Sequence, residues 1–117
     1  MFQVSLPILV RQLVDRKLEA FYEHRLPAHV RKEIRLFHTV RGNSVTMIEA
    51  RPPFLGPSEW SELRVAQFRY DSETGTWTLY CADRNSRWHP YWDMEPTTEF
   101  DDLLREVDED PTGIFWG

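Results

Sequence analysis

The chain has a single cysteine, Cys81, only five glycines, and no apolar run near the roughly 20 residues that a membrane-spanning helix needs. One thiol excludes an intrachain disulfide and a cysteine-rich zinc site. The short apolar runs exclude a transmembrane protein. No basic stretch, long apolar block and small-residue cleavage site follow one another at the N-terminus, so no secretory signal is expected and the cytoplasm is the default compartment. The sequence also lacks a glycine-rich phosphate loop and a serine nucleophile elbow. Its four histidines (His24, His29, His38, His89) show neither HxH nor HExxH spacing, so neither a metal nor another cofactor is expected. There is no internal repeat, no low-complexity segment and no decisive catalytic motif; the balance leans away from an enzyme without closing that question.

What is present suits one folded domain over residues 1–117. The chain is 41% hydrophobic and carries 16 aromatic residues, too apolar for a disordered segment and enough to fill a core. The net charge of −5 is unevenly spread. Residues 93–117 hold nine acids and one base, whereas residues 1–92 hold ten acids and thirteen bases. An ordinary solvated helix face is the plain explanation; an anion-binding body joined to an acidic competitor is the functional one. Twelve of the fourteen bases are arginine, which fits bidentate contacts to carboxylate or phosphate and fits codon bias equally well.

Periodicity predicts an α+β fold: an N-terminal helix, a five-stranded antiparallel sheet and a C-terminal helix. Ser5 and Pro7 read as a helix start, and Leu6, Leu9, Val10, Leu13, Val14, Leu18 and Phe21 recur at helical spacing, giving a helix at about 6–24 that ends before Pro27. Period-two alternation then gives strands at about 34–41, 44–51, 63–70, 76–83 and 87–92. The links between them are short to moderate, hence antiparallel pairing. Thr97 or Thr98 caps a last helix at about 98–108, with acids in its first turn.

Register turns this outline into faces. If Asn85-Ser86 is a two-residue turn, Asp83 pairs with Trp88, Ala82 with His89 and Tyr80 with Tyr91. Ala66, Phe68, Tyr70, Trp77, Leu79, Cys81, Trp88 and Trp92 then form the core face. Gln67, Arg69, Thr78, Tyr80, Arg84, Arg87, His89 and Tyr91 form an open one. Arginines, tyrosines and a histidine on one open face suit flat anions, because bases stack on rings and guanidinium planes while cations meet phosphate. A solvated face with ordinary cross-strand pairs is the alternative. The register holds only for a two-residue turn.

Among residues able to do chemistry, His89 beside Asp83 or Tyr80 has the makings of a general base, although structural hydrogen bonding is the commoner role. In the Gly42-Asn43 register Glu49 faces Leu36, with His38 one pair along, so His38, Glu49 and Arg51 form a possible anion site or a structural ion pair. His29 and Arg31 lie where the helix joins the sheet. Cys81 reads as a buried apolar residue rather than a nucleophile.

Several short patterns occur in order: Pro27-x-His29-Val30-Arg31, Ile48-Glu49-x-Arg51-Pro52, Ala66-x-Phe68-x-Tyr70, Trp77-x-Leu79-Tyr80, Arg84-x-x-x-Trp88-His89-x-Tyr91 and Gly113-x-Phe115-x-Gly117. Together they resemble a bacterial family catalogued as domain of unknown function 3024. The resemblance implies a compact bacterial protein of this length and supplies no activity, cofactor or partner. It marks His29, Arg31, Glu49, Arg51, Arg84, Trp88 and His89 as the pattern's polar and aromatic fixtures. Cys81 departs from it, standing where the family has an aromatic residue.

Three functions follow as expectations. The first is a non-enzymatic module that binds single-stranded nucleic acid or a nucleotide through Arg69, Tyr80, Arg84, Arg87, His89 and Tyr91. The second is a small hydrolase or nuclease using His89 or His29 with Glu49 and arginine. The third is a protein-interaction module or homodimer anchored by Phe54, Trp60 and the Phe115-Trp116 tail, if that tail does not pack back on the core.

Overall fold

A computed structural model describes residues 5–30, 33–53 and 60–116. Helix α1 spans Ile8–Arg25, starting two residues later and ending one residue later than the sequence predicts. Ser5 is not its cap: Pro7, extended at φ −56° and ψ 144°, precedes the first turn and its carbonyl accepts the Arg11 N–H. The helix stops where Leu26 turns extended ahead of Pro27, because a residue before proline disfavours the helical region. Val14, Leu18, Phe21 and Tyr22 form its buried stripe; Leu9 and Leu13 of the expected stripe are exposed.

The sheet is an antiparallel meander in sequence order, β1 (Arg35–Arg41), β2 (Ser44–Arg51), β3 (Ser61–Asp71), β4 (Thr76–Ala82) and β5 (Trp88–Pro90). Gly42, at φ 60°, supplies the left-handed residue in the β1–β2 turn. Pairing places Leu36 against Glu49 and His38 against Met47, as read from the Gly42-Asn43 turn. A β-bulge at Val65 interrupts the β2–β3 ladder: Met47 pairs with Ala66, whereas Ile48 pairs with Arg64. The extra residue lets Val65 and Ala66 both be buried and brings Arg64 round to the open face, beside Ile48.

The β4–β5 hairpin departs from the expected register by one residue. Ala82 pairs with Trp88, Cys81 with His89 and Tyr80 with Pro90. The turn has three residues, not two: Asp83 N–H donates to the Arg87 carbonyl, and Ser86 takes the left-handed conformation at φ 62°. Such a residue closing a type I turn is the common three-residue solution. Asp83 stabilises it, since Oδ1 accepts the N–H groups of Asn85 and Arg87 at 2.8 and 2.9 Å.

Helix α2 (Phe100–Glu109) follows Thr97, whose backbone bridges to Trp77 and whose hydroxyl accepts the Glu99 N–H. Both helices cover one face of the sheet, where Val45, Met47, Phe68, Leu79, Leu18 and Leu103 are fully or almost fully buried. The acids of α2 hold this layer together: Asp101 pairs with Lys17 at 2.7 Å and Asp108 with Arg25 at 2.9 Å. The acidic segment is therefore bound into the helical layer, opposite the open sheet face.

Candidate ligand-binding site

The one-residue change of register redistributes the predicted face. Tyr91 is not on it; the ring is 2% exposed in the core, 5.1 Å from Phe115, and its hydroxyl donates to Glu106 Oε2 at 2.7 Å. Burial raises the Tyr91 pKa, so the phenol keeps its proton for that bond. His89 is not on the open face either. It shares the face of Cys81, beyond the helical cover, and its Nε2 lies 2.7 Å from Asp83 Oδ2. Trp88, expected in the core, stands half-buried on the open face instead, and Trp92 is 66% exposed. Slipping a strand by one residue exchanges its two faces, and all four corrections share that cause.

What the open face gathers is a shallow cavity of about 400 Å³ whose polar and aromatic lining includes Arg41, Arg64, Gln67, Arg69 and Trp88. Among the described residues no carboxylate lines it. Arg69 Nε–H donates to Gln67 Oε1 at 2.7 Å, and Gln67 Nε2–H donates to Thr46 Oγ1 at 2.9 Å. Gln67 is buried, so these hydrogen bonds fix the guanidinium from beneath and leave its terminal nitrogens without a hydrogen-bond partner among the described residues. The same guanidinium lies 3.8 Å from the Tyr80 ring centroid, covering one face of that ring. Arg41 and Arg64 make no ion pair among the described residues. Arg84 and Arg87 are exposed in the turn before Trp88. The bulge hides Arg64 from pattern reading, while Arg41 alternates onto this face in plain sequence.

The second predicted cluster does not assemble. Arg51 Nε–H donates to Glu49 Oε1 at 2.7 Å, but His38 belongs to another network. Its Nδ1 is 2.8 Å from Tyr22 Oη and its Nε2 is 2.7 Å from Asp15 Oδ1. Burial, then Glu19 and Asp15, push the Tyr22 pKa far up, so the phenol stays protonated. With a neutral imidazole, Tyr22 donates to Nδ1 and Nε2–H donates to Asp15, a fixed tautomer that ties α1 to β1. His29 is exposed on the 3-10 turn Ala28–Val30; Arg31 lies outside the described residues. Strands β3 and β4 separate His89 from Glu49, so these two groups of the hydrolase reading do not converge.

Asp83 is held below the usual carboxylate range by the Arg87 N–H first and by His89 next. Burial pushes the Cys81 thiol up, as for a structural cysteine. The tail packs on the core: Phe115 is buried and Trp116 Nε1–H donates to the Val107 carbonyl, with Arg25 stacked 3.8 Å over the indole. Phe54 lies outside the described residues, and Trp60 is half-buried with Arg35 4.1 Å over its ring. Among the described residues no three His, Cys, Asp or Glu side chains group as metal ligands, and no helix is long and apolar enough to cross a membrane.

No curated protein and no solved structure gives a significant match to this chain. The model of one protein family matches residues 6–117. The chain belongs to the family described as domain of unknown function (DUF3024).

Proposed function

We propose that this chain is a non-enzymatic binding module of the bacterial cytoplasm whose open sheet face takes a planar, anionic partner, single-stranded nucleic acid or a nucleotide. One observation carries the reading: three arginines and an indole line a cavity that no carboxylate among the described residues lines, on a chain whose net charge is −5. Arg41 and Arg64 meet phosphate. Arg69, held by Gln67, offers its terminal N–H pair as a bidentate fork. Trp88 supplies the stacking ring, and Arg84 and Arg87 extend the basic track along the neighbouring turn. Stacking on such a ring is worth about 1–3 kcal/mol per base. The acidic total argues against tight non-specific duplex binding, whose affinity comes from phosphate neutralisation.

The test is the affinity of the folded chain for short single-stranded DNA and RNA oligomers after Trp88→Leu and after Arg41→Gln with Arg64→Gln. Each change weakens binding about tenfold or more, and the arginine pair also flattens the salt dependence. Affinities that both variants leave unchanged would remove the open face as the site.

A further inference from the structure

The sheet order leaves β1 as an outer strand with one neighbour, and the outer edge of Arg35–Arg41 has no backbone partner among the described residues. Ile34–Phe37 at the start of this strand line a groove of about 610 Å³. Helix α1 lines it with Glu19, Tyr22 and Glu23, and from the sheet Ala50 of β2 and Glu62 of β3 line it as well, as does Trp60. An open strand edge is a template for a further strand, and a groove between an edge strand and a helix is a recurrent place for an extended peptide to add.

Charge selects the occupant. Glu19 and Glu23 are four residues apart on one face of α1 and repel each other. Neither they nor Glu62 makes an ion pair among the described residues. Among the described residues the only cation lining the groove is Arg35, already seated on the Trp60 ring at 4.1 Å. A second copy of β1, paired about a two-fold at His38, sets each Arg35 opposite an Arg41, and like charges directly opposite destabilise a ladder. Successive side chains of an added strand point to opposite sides.

We propose that this groove binds an extended basic segment of another protein, which adds to β1 as a sixth strand. Its lysine or arginine side chains face Glu19 and Glu23, and the alternate apolar ones face Phe37 and Trp60. Backbone hydrogen bonds to β1 supply the register, and the two glutamates select the basic sequence. This surface is separate from the open-face cavity and stands whether or not that cavity binds nucleic acid.

The probe is a capped seven-residue peptide alternating lysine and valine, titrated into the full ¹⁵N-labelled chain. Saturable binding is expected, with amide shifts and slowed hydrogen exchange concentrated on Ile34–Thr39. The same peptide with glutamate for lysine, and a version N-methylated along its pairing edge, bind at least about tenfold more weakly. In the chain, Glu19→Lys with Glu23→Lys weakens the lysine peptide by about tenfold, as the loss of two exposed charge contacts predicts, while the spectrum stays that of the folded protein. The proposal is overturned by no saturation at millimolar peptide, by shifts centred elsewhere, or by an N-methylated peptide that binds equally well. Shifts on β1 that follow protein concentration alone also overturn it, because they identify a second copy as the occupant.

Discussion

The Arg69 guanidinium lies 3.8 Å over the Tyr80 ring while its Nε–H is held by the buried Gln67. The ring and the amide together orient one cation, so Tyr80 works by its face and not its hydroxyl. Tyr80→Phe therefore leaves oligonucleotide affinity within about twofold, whereas Arg69→Lys weakens it about tenfold, because an ammonium neither stacks nor forks. Fluorescence titration of the two variants checks this; equal losses contradict it.

His38 bridges Tyr22 and Asp15 across the α1–β1 contact. His38→Ala leaves the buried Tyr22 hydroxyl without its acceptor and costs about 1–3 kcal/mol of stability. Urea denaturation measures it. Tyr22→Phe costs less, since it removes the hydroxyl that needs a partner. Because the Tyr22 pKa is raised on folding, its contribution is full below the unfolded value near 10 and is lost as pH rises above it. Stability of the parent therefore falls in alkali more steeply than that of Tyr22→Phe.

Asp83 gives the opposite sign. Its folded pKa lies below the ordinary 3.8, so the turn it holds is fully supported above that value and loosens as pH falls through the lower, folded one. Amide shifts of Asn85 and Arg87 followed against pH titrate together, with a midpoint below 3.8. Asp83→Asn removes the transition.

Phe115 and Trp92 are neighbours of Tyr91 on opposite sides of the buried boundary. Phe115→Ala costs about 3–5 kcal/mol, the range for a buried phenylalanine, and Trp92→Ala costs far less. Comparable losses in thermal unfolding contradict the placement of the tail in the core.

The α+β order, the β1–β2 register and the core face of β3 and β4 are all legible in the sequence, because hydrophobic alternation and Gly42 specify them locally. Two single-residue irregularities are not. The bulge at Val65 reverses the faces N-terminal to it, and only the packing of Val65 and Ala66 under the helices selects it. The longer β4–β5 turn depends on Asp83 capturing two backbone N–H groups, against the two-residue turn that Asn85-Ser86 suggests. Each irregularity moved candidate site residues: Arg64 and Trp88 onto the open face, His89 and Tyr91 off it. Local patterns give the strands, and tertiary burial decides which residues meet.

The most direct test of the account is a fluorescence titration of the purified chain with single-stranded DNA and RNA oligomers at low and moderate salt. Saturable tryptophan quenching that weakens with salt and disappears in Trp88→Leu is expected. A flat titration at both salts, with a folded protein, contradicts it.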